Sequence, residues 1–203
     1  MLKVSGITPT DEEMLFVVEA MRNPMNSWDK SDKLGEADYK LMMNLVRAGA
    51  EHRKFMRQMF LGLRITAPMY WWTEFDTYKV GTARNSTSKM HKLMAKPFES
   101  SDFAMEYLGE KAENVMCATL NTLNSMRTEW LSCTDETEKK KIWYALLQFL
   151  PESYLQTSNV SMNYEVARNI YHQRRRHKLD EWHDFCDFLE TLPYAEFITE
   201  GMK

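Results

Sequence analysis

The chain has 203 residues, of which 44% are hydrophobic and 27% charged, and its formal net charge is −3 at pH 7. This length and composition are typical of a globular protein with one hydrophobic core or two small ones. The slightly acidic balance argues against a general nucleic-acid-binding protein, which is normally basic. We therefore expect no nucleic-acid partner.

The cysteines indicate a reducing compartment. Cys117, Cys133 and Cys186 are odd in number and widely spaced, which does not match a disulfide framework. Cys117 falls within an apolar helical stripe, so we expect it in the core. The sequence shows no charged-then-apolar leader and no run of eighteen apolar residues. We therefore expect a cytoplasmic protein without a membrane partner.

The first third of the chain predicts two helices and a strand. Thr10 to Glu13 has the pattern of a capping box, and the helix that it opens should end at Asn23-Pro24. A loop over residues 25–35 then precedes a long helix from about Glu36 to Met56. The next segment, Met59 to Ile65, predicts a strand, and its mixed apolar content suggests burial on both faces.

A second short helix is followed by an unusual polar loop. Pro68 begins an aromatic-rich helix over residues 69–75, and a hydroxyl-rich loop follows from Thr77 to Ser88. Lys79 and Arg84 add two cations to this loop. Backbone N–H groups, hydroxyls and cations together suit a phosphate or an anionic cofactor. The alternative is a solvated connector between two helices.

The second half of the chain is mostly helical. It contains one strand-like segment, and no repeat or linker interrupts it. We therefore expect a single α+β domain over residues 1–203. The predicted elements are a short helix starting at Ser100, helices over 110–131 and about 136–150, a strand over 154–162, and helices over 163–174 and 179–192. The apolar stripe of the 110–131 helix is expected to include Val115, Leu120, Leu123 and Met126. Thr134-Asp135-Glu136 is expected to cap the 136–150 helix, and Asn163 the 163–174 helix.

The helix that starts at Asn163 carries amides and a cation at regular spacing. Arg174 follows Asn163 by eleven positions. About 100° of rotation and about 1.5 Å of rise per residue put the two on the same face, roughly 16 Å apart. Asn169 is rotated away from both by roughly 120–140°. This helix end is either a clamp for phosphate or carboxylate or a solvated basic helix end.

The sequence offers little support for a metal site. His172, His177, His183 and Cys186 lack the paired spacing of structural zinc sites, and only His183 and Cys186 share a helix face cleanly. No glycine-rich nucleotide loop, nucleophile elbow or His-Glu-x-x-His motif is present. We therefore expect no metal.

Together, the polar loop and the Asn163 helix resemble the flavin-dependent thymidylate synthases. Members of that family carry a strand, an Ala-Pro pair and an aromatic helix. The signature Arg-His-Arg-x-x-Ser-x-Asn-Glu-x-Ser-x-Arg-Tyr then follows. In this sequence the strand, the Ala-Pro pair and the helix correspond to Met59–Ile65, Ala67-Pro68 and 69–75, and the signature falls without gaps on Thr77–Met90.

The resemblance extends to the second half of the chain. The family has an Asn-x5-Asn-x4-Arg helix after a Leu-Pro turn, followed by a tryptophan in the next helix. Leu150-Pro151, the helix residues Asn163, Asn169 and Arg174, and Trp182 reproduce this order. Near the start, Ala20-Met21-Arg22 resembles an early Ala-Ala-Arg of the family.

The signature itself departs from the family pattern. Thr77 and Tyr78 replace the first Arg and the His of the Arg-His-Arg trio. Only the last of the three positions still carries a basic residue, Lys79. Lysine cannot make the bidentate phosphate contact that arginine makes. Thr82 and Thr87 keep hydroxyls at the two serine positions. At the remaining signature positions, Arg84 and Asn85 replace Asn-Glu, and Lys89 replaces the second cation. If the alignment is shifted by one residue, Asn85 and Ser88 instead match the family's Asn and second Ser.

The resemblance implies a fold and a reaction. The fold would be the flavin-dependent thymidylate synthase-like α+β fold, with helices packed on a small mixed sheet. The enzyme would be a homotetramer with shared flavin and nucleotide sites. It would use FAD, with methylenetetrahydrofolate and NADPH as co-substrates, to methylate the pyrimidine deoxynucleotide dUMP.

The resemblance also implies roles for individual residues. Arg174 would be catalytic, because it would bind the nucleotide and polarise the uracil ring. The implied cofactor-binding residues are His52, Tyr78, Lys79, Thr82, Asn163 and Asn169. The implied substrate-binding residues are Arg84, Thr87, Ser88 and Lys89, together with Arg174.

Two other functions stay open because the signature has changed. One is a non-catalytic homologue that kept the fold as a nucleotide-binding or protein-interaction module. The other is a sister enzyme that acts on a different pyrimidine nucleotide.

Overall fold

The structure is a computed structural model that describes residues 2–27 and 33–201. The chain divides into two compact units. The first unit consists of Thr66–Glu74 and Ser86–Thr157, and the second of Leu2–Ile65, Phe75–Asn85 and Ser158–Lys203. The single domain over residues 1–203 stays a prediction. Within the described ranges, no helix is both long and apolar enough to cross a membrane.

The four strands β1 (Lys3–Ile7), β2 (Phe60–Pro68), β3 (Ala83–Ser86) and β4 (Leu155–Asn163) form an antiparallel sheet in the order β1-β2-β4-β3. We expected a mixed sheet, but the α+β fold with helices packed on a small sheet is confirmed.

Strand β2 is buried on one face, not on both as its composition suggested. Leu61, Leu63 and Ile65 are buried, whereas Phe60 and Arg64, which alternate with them, are exposed. The alternation follows from the pleat, which sends successive side chains to opposite faces.

The two N-terminal helices begin where the sequence predicts. Helix α1 (Asp11–Arg22) has the expected capping box, in which Thr10 and Glu13 exchange side-chain and backbone hydrogen bonds. Helix α2 (Glu36–Ala48) ends well before the predicted Met56. Gly49 has a φ of 124° and breaks the helix, and a 3₁₀ turn follows at Lys54–Arg57. Residues 28–32 of the predicted 25–35 loop lie outside the described ranges.

Three C-terminal helices form much of the second unit's core. Helix α7 (Tyr164–Arg174) starts as predicted, because the Asn163 side chain accepts a hydrogen bond from the Val166 N–H at 3.0 Å. Helix α8 (Asp180–Glu190) buries Trp182 and Phe185. Helix α9 (Ala195–Thr199), which the sequence did not predict, packs against α7 and α8.

The first unit contains a helical hairpin. Helix α5 (Glu110–Ser132) packs against α6 (Glu136–Phe149), whose predicted N-cap, Asp135, accepts from two backbone N–H groups. The predicted apolar stripe of α5 is partly wrong, since Val115 and Cys117 are exposed while Met116 is buried. The unit's shorter elements are α3 (Met69–Phe75), α4 (Lys89–Lys92) and a 3₁₀ turn at Ser100–Asp102, where a helix was expected.

Candidate active site

The segment predicted as a polar loop is partly ordered into regular structure. Asp76–Tyr78 forms a 3₁₀ turn directly after α3, and Ala83–Ser86 forms strand β3. Gly81 turns the chain between them with a φ of 89°. The prediction of a loop from Thr77 to Ser88 is therefore wrong at Thr77, Tyr78 and 83–86. Pairing with β4 orders the segment, and a short strand without a hydrophobic pattern gives little signal in sequence.

Tyr78 and Arg174, which are 96 positions apart, are in direct contact. Arg174 Nε donates a hydrogen bond to Tyr78 Oη at 2.7 Å. The guanidinium carbon of Arg174 lies 4.8 Å from the Trp182 ring centroid and 5.3 Å from that of Tyr78. Both rings favour the positive charge electrostatically. The structure therefore joins the altered signature and the Asn163 helix through their predicted site residues.

Asn169 of α7 and Asn163, the N-cap residue of that helix, are placed differently. Asn169 is exposed, and its Oδ1 accepts from Gln173 Nε2 at 2.9 Å. Gln173 in turn accepts from Tyr78 Oη at 2.9 Å, so Asn169 is linked to Arg174 through two intermediates. Asn163 instead uses its side-chain oxygen to cap the helix. The structure thus gives Asn163 a structural role in addition to any ligand contact.

A cleft of ≈ 480 Å³ in the second unit lies beside this hydrogen-bonded group. Arg53 Nε donates to both oxygens of Glu165 at 3.0 and 3.1 Å. Arg168 donates to the carbonyls of Phe197 and Ile198. Burial and the nearby Arg53 charge lower the pKa of Arg168. The polar residues that line the cleft are Arg53, Tyr78, Glu165, Arg168, Asn169 and His172.

His172 is the histidine of this cleft, although the sequence suggested it only as a weak metal ligand. Burial lowers its pKa, and the charges of Arg168 and Arg53 lower it further. Its Nε2 atom is buried, and no described residue hydrogen-bonds to it. The cleft therefore holds a neutral imidazole at neutral pH. No group of three His, Cys, Asp or Glu side chains that could hold a metal occurs in residues 2–27 and 33–201.

Sequence reasoning missed Arg53 and Arg168 as well. Arg53 falls within the predicted helix over 36–56, which the structure ends at Ala48, and Arg168 belongs to none of the family motifs. The one sequence feature that could have pointed to the cleft is the position of Arg168, one helical turn before His172 on α7.

Three further predicted site residues of the second unit, Arg84, Thr82 and Lys79, belong to the signature segment. Arg84 Nη1 lies 2.8 Å from both carboxylate oxygens of Asp76, and Arg84 Nε donates to Ser158 Oγ at 3.1 Å. Thr82 Oγ1 donates to the Tyr78 carbonyl at 2.9 Å, which braces the turn. Lys79 is exposed.

His52, the weakest of the predicted cofactor residues, is exposed, and its Nε2 lies 3.7 Å from Glu51 Oε1. It does not line the cleft, whereas Ala50 does.

Three predicted substrate-binding residues belong to the first unit. The Thr87 N–H donates to the Thr157 carbonyl at 2.9 Å, and Gln156 Nε2 donates to the Thr87 carbonyl at 2.8 Å. Ser88 is the residue before α4, and Lys89 begins that helix. Thr87, Ser88 and Lys89 line a small hollow of ≈ 100 Å³.

No protein-family model matches the sequence, and no curated protein sequence matches it either. Solved structures do match. One is the flavin-dependent thymidylate synthase ThyX of Helicobacter pylori complexed with FAD and dUMP, with a TM-score of 0.68 and 18% identity over 95% of this chain and 96% of that chain. A second structure of the H. pylori enzyme with FAD and dUMP gives a TM-score of 0.70 and 18% identity over 97% and 96%.

The UMP/dUMP methylase PolB of Streptomyces cacaoi, bound to 5-bromo-dUMP, also matches. It has a TM-score of 0.64 and 14% identity over 94% of this chain and 89% of that chain. The fold is that of the flavin-dependent thymidylate synthases. The expected flavin-dependent thymidylate synthase-like fold is thereby confirmed.

Proposed function

We propose that the protein is a flavin-dependent thymidylate synthase-like enzyme that methylates dUMP reductively to dTMP. One observation carries this proposal. The hydrogen bond between Tyr78 and Arg174 joins the altered signature to the Asn163 helix, at the positions that the family resemblance selects. The fold shared with ThyX and PolB supports it, because those proteins are described with dUMP, FAD or a bromouridine nucleotide bound.

The residues of the second-unit cleft fit an anionic, nucleotide-containing cofactor such as FAD. Arg53 and Arg168 supply positive charge, and Tyr78 and Asn169 supply hydrogen-bonding groups. Glu165 is the single carboxylate among the lining residues, and its charge is offset by Arg53. We propose that these residues, with Lys79 and Thr82, hold the cofactor. When bound, FAD supplies reducing equivalents, methylenetetrahydrofolate supplies the one-carbon unit, and NADPH restores the reduced flavin.

Arg174 is the proposed catalytic residue. Its guanidinium is held by Tyr78 Oη and by two aromatic rings, so its orientation is fixed before a substrate binds. A fixed cation at this place binds the nucleotide and stabilises negative charge that develops in the pyrimidine ring. The mechanism requires no protein nucleophile. Cys186, the buried thiol of α8, is unsuited to that role because burial raises its pKa to about 12.

We propose Arg84, Thr87, Ser88 and Lys89 as further nucleotide-binding residues. Hydroxyl groups and cations are the side chains that phosphate oxygens prefer. The assembly that we propose is a cytoplasmic homotetramer in which flavin and nucleotide sites are shared between subunits.

A sister enzyme acting on another pyrimidine nucleotide is the second candidate. The altered signature supports it, and so does the likeness to PolB, which is described as a methylase of UMP as well as dUMP. A non-catalytic homologue is the third candidate, and the loss of the Arg-His-Arg trio supports it.

Two measurements test these candidates in turn. The purified protein is first mixed with FAD, and bound flavin is read from its absorbance band at roughly 450 nm, a property of the cofactor. Methyl transfer from methylenetetrahydrofolate in the presence of NADPH is then assayed with dUMP, UMP and dCMP as acceptors. Turnover of dUMP supports the first proposal, and turnover of UMP or dCMP alone supports the sister enzyme. Flavin binding without turnover, together with failure to restore growth of a thymidine-requiring strain, supports the non-catalytic homologue.

A further inference from the structure

Four side chains form a continuous hydrogen-bonded chain from Arg174 to Asn169. Arg174 Nε lies 2.7 Å from Tyr78 Oη, Tyr78 Oη lies 2.9 Å from Gln173, and Gln173 lies 2.9 Å from Asn169. Neither Gln173 nor its bond to Tyr78 follows from any motif in the sequence.

All three bonds run in one direction, away from the arginine. A guanidinium N–H can only donate, so Tyr78 Oη accepts there and its own hydrogen points onward. Tyr78 donates this hydrogen to Gln173 Oε1, and Gln173 Nε2 donates in turn to Asn169 Oδ1. It follows that Asn169 offers Oδ1 to Gln173. This direction agrees with the donor and acceptor chemistry of the four side chains.

We infer that Gln173 is a positioning residue that sets which end of the Asn169 amide faces a ligand. Because Oδ1 is bound by Gln173, the other end of the amide is Nδ2, which carries two N–H donors. Asn169 is exposed and lines the cleft, so Nδ2 recognises a hydrogen-bond acceptor on the ligand, either a carbonyl oxygen or an unprotonated ring nitrogen. The ligand part of this inference rests on the proposed function, whereas the direction of the chain does not.

The cation at the start of the chain strengthens this arrangement. A hydroxyl that accepts from a charged donor becomes a better donor itself, and hydrogen bonds in series reinforce one another. The same chain also orients Arg174, since Tyr78 touches both Arg174 and Gln173. Gln173 therefore links the proposed nucleotide-binding cation to a proposed cofactor-binding amide.

The direction of the chain is tested without any ligand. In protein labelled with ¹⁵N at glutamine and asparagine side chains, one Nε2 proton of Gln173 should resonate downfield and exchange slowly with water. Tyr78→Phe, which keeps the ring but removes the hydroxyl, should shift that signal. A downfield, slowly exchanging proton on Asn169 in place of Gln173 would overturn the inference. So would a Gln173 signal unchanged by Tyr78→Phe.

The effect on recognition is tested with Gln173→Glu and Gln173→Met. An ionised carboxylate at this position accepts from Tyr78 but cannot donate to Asn169, so the Asn169 amide turns over and presents Oδ1 to the ligand. FAD affinity, measured by quenching of flavin fluorescence, should fall about tenfold or more, the effect of losing one hydrogen bond. Gln173→Met, which neither donates nor accepts, should cost less than Gln173→Glu.

A pH titration separates the amide reversal from a plain charge effect. Once protonated, the carboxyl group introduced by Gln173→Glu can again donate to Asn169, so FAD affinity should recover as the pH falls toward about 4.3, the ordinary pKa of a glutamate. Equal losses in both variants, or no recovery in acid, would overturn the positioning role. If the unaltered protein binds no FAD, the proposed function fails, while the amide spectra still decide the direction of the chain.

Discussion

Arg84 and Asp76 form an ion pair in which one guanidinium nitrogen lies 2.8 Å from both carboxylate oxygens. The Arg84 side chain is 16% exposed and that of Asp76 is 57% exposed. Ser158 holds the same guanidinium through Nε. A nucleotide phosphate that binds Arg84 must therefore compete with Asp76, and this competition should lower the affinity of the proposed substrate site.

Asp76→Asn should strengthen nucleotide binding, because it removes the competing charge but keeps the side-chain shape. We expect the Kd for dUMP, measured by calorimetric titration, to fall about threefold to tenfold. The free energy of unfolding should fall by only about 0.5–1 kcal/mol, since one partner of the pair is exposed. Glu138→Gln, which breaks the exposed pair with Lys141, is the matched control. Unchanged or weaker nucleotide binding in Asp76→Asn would exclude Arg84 from the substrate site.

Arg174→Ala should abolish nucleotide binding and leave the fold intact. The variant loses the hydrogen bond to Tyr78 and the contact with Trp182, which together stabilise the protein by about 1–2 kcal/mol. Arg174→Lys should bind weakly, because the ammonium keeps the charge but not the planar donor. Binding is measured by titration with dUMP and folding by circular dichroism, with the neighbouring Arg176 changed to Ala as the control. Normal binding by Arg174→Ala would remove the main support for the proposed site.

The sequence predicted best the features that neighbouring residues decide. The capping box at Thr10, the cap at Asp135 and the cap at Asn163 each depend on residues within three positions, and all three are present. Strand β3 and helix α9 are only four and five residues long. Elements of this length carry too little hydrophobic periodicity to be recognised.

In the candidate site as well, the sequence does not predict the contacts that form between distant residues. Tyr78 and Arg174 could be selected from sequence only because spaced motifs resemble a known family, and the structure then places them in contact. Arg53, Arg168 and His172 meet in the cleft through tertiary packing, which no local spacing encodes. Gln173 has an ordinary helical position, and its role depends on the hydroxyl of a residue 95 positions away.

Gly81→Ala should destabilise the protein through both backbone strain and a steric clash. Gly81 has a φ of 89°, and a Cβ there would lie 2.8 Å from Val166 Cγ2. We expect a loss of about 2 kcal/mol or more in the free energy of unfolding, measured in urea. Adding Val166→Ala should relieve the clash but not the strain, so the double variant should recover part of the loss. Gly109→Ala, where a Cβ has open space, should cost only about 0.5 kcal/mol. Equal losses at the two glycines would contradict the predicted strain.

Asp38→Ala should be among the most destabilising single changes. Asp38 forms an ion pair with Arg22, and the two side chains are 7% and 14% exposed. It also accepts the Gly35 N–H at 3.0 Å at the start of α2. Removing the carboxylate leaves the Arg22 charge buried, which costs about 3–5 kcal/mol. Arg22→Met should cost less, because Asp38 keeps the Gly35 hydrogen bond. Thermal unfolding of both variants measures the difference, and a smaller loss for Asp38→Ala than for Arg22→Met would refute this account.

The pKa of His172 should make the stability of the protein depend on pH. Burial, followed by the charges of Arg168 and Arg53, lowers this pKa in the folded state. In the unfolded chain the pKa returns to about 6.5, so between the two values the unfolded state binds more protons. The free energy of unfolding should therefore fall as the pH drops through about 6.5, and the fall should level off below the folded-state pKa.

His172→Gln should remove this dependence, because glutamine does not titrate. Urea unfolding of both proteins between pH 8 and pH 5 gives the difference in free energy at each pH. That difference should shift in favour of the variant as the pH falls. His91→Gln, at an exposed histidine outside the cleft, should leave the slope unchanged. If His172→Gln keeps the slope of the unaltered protein, other groups control the acid sensitivity, and the neutral imidazole contributes nothing to it.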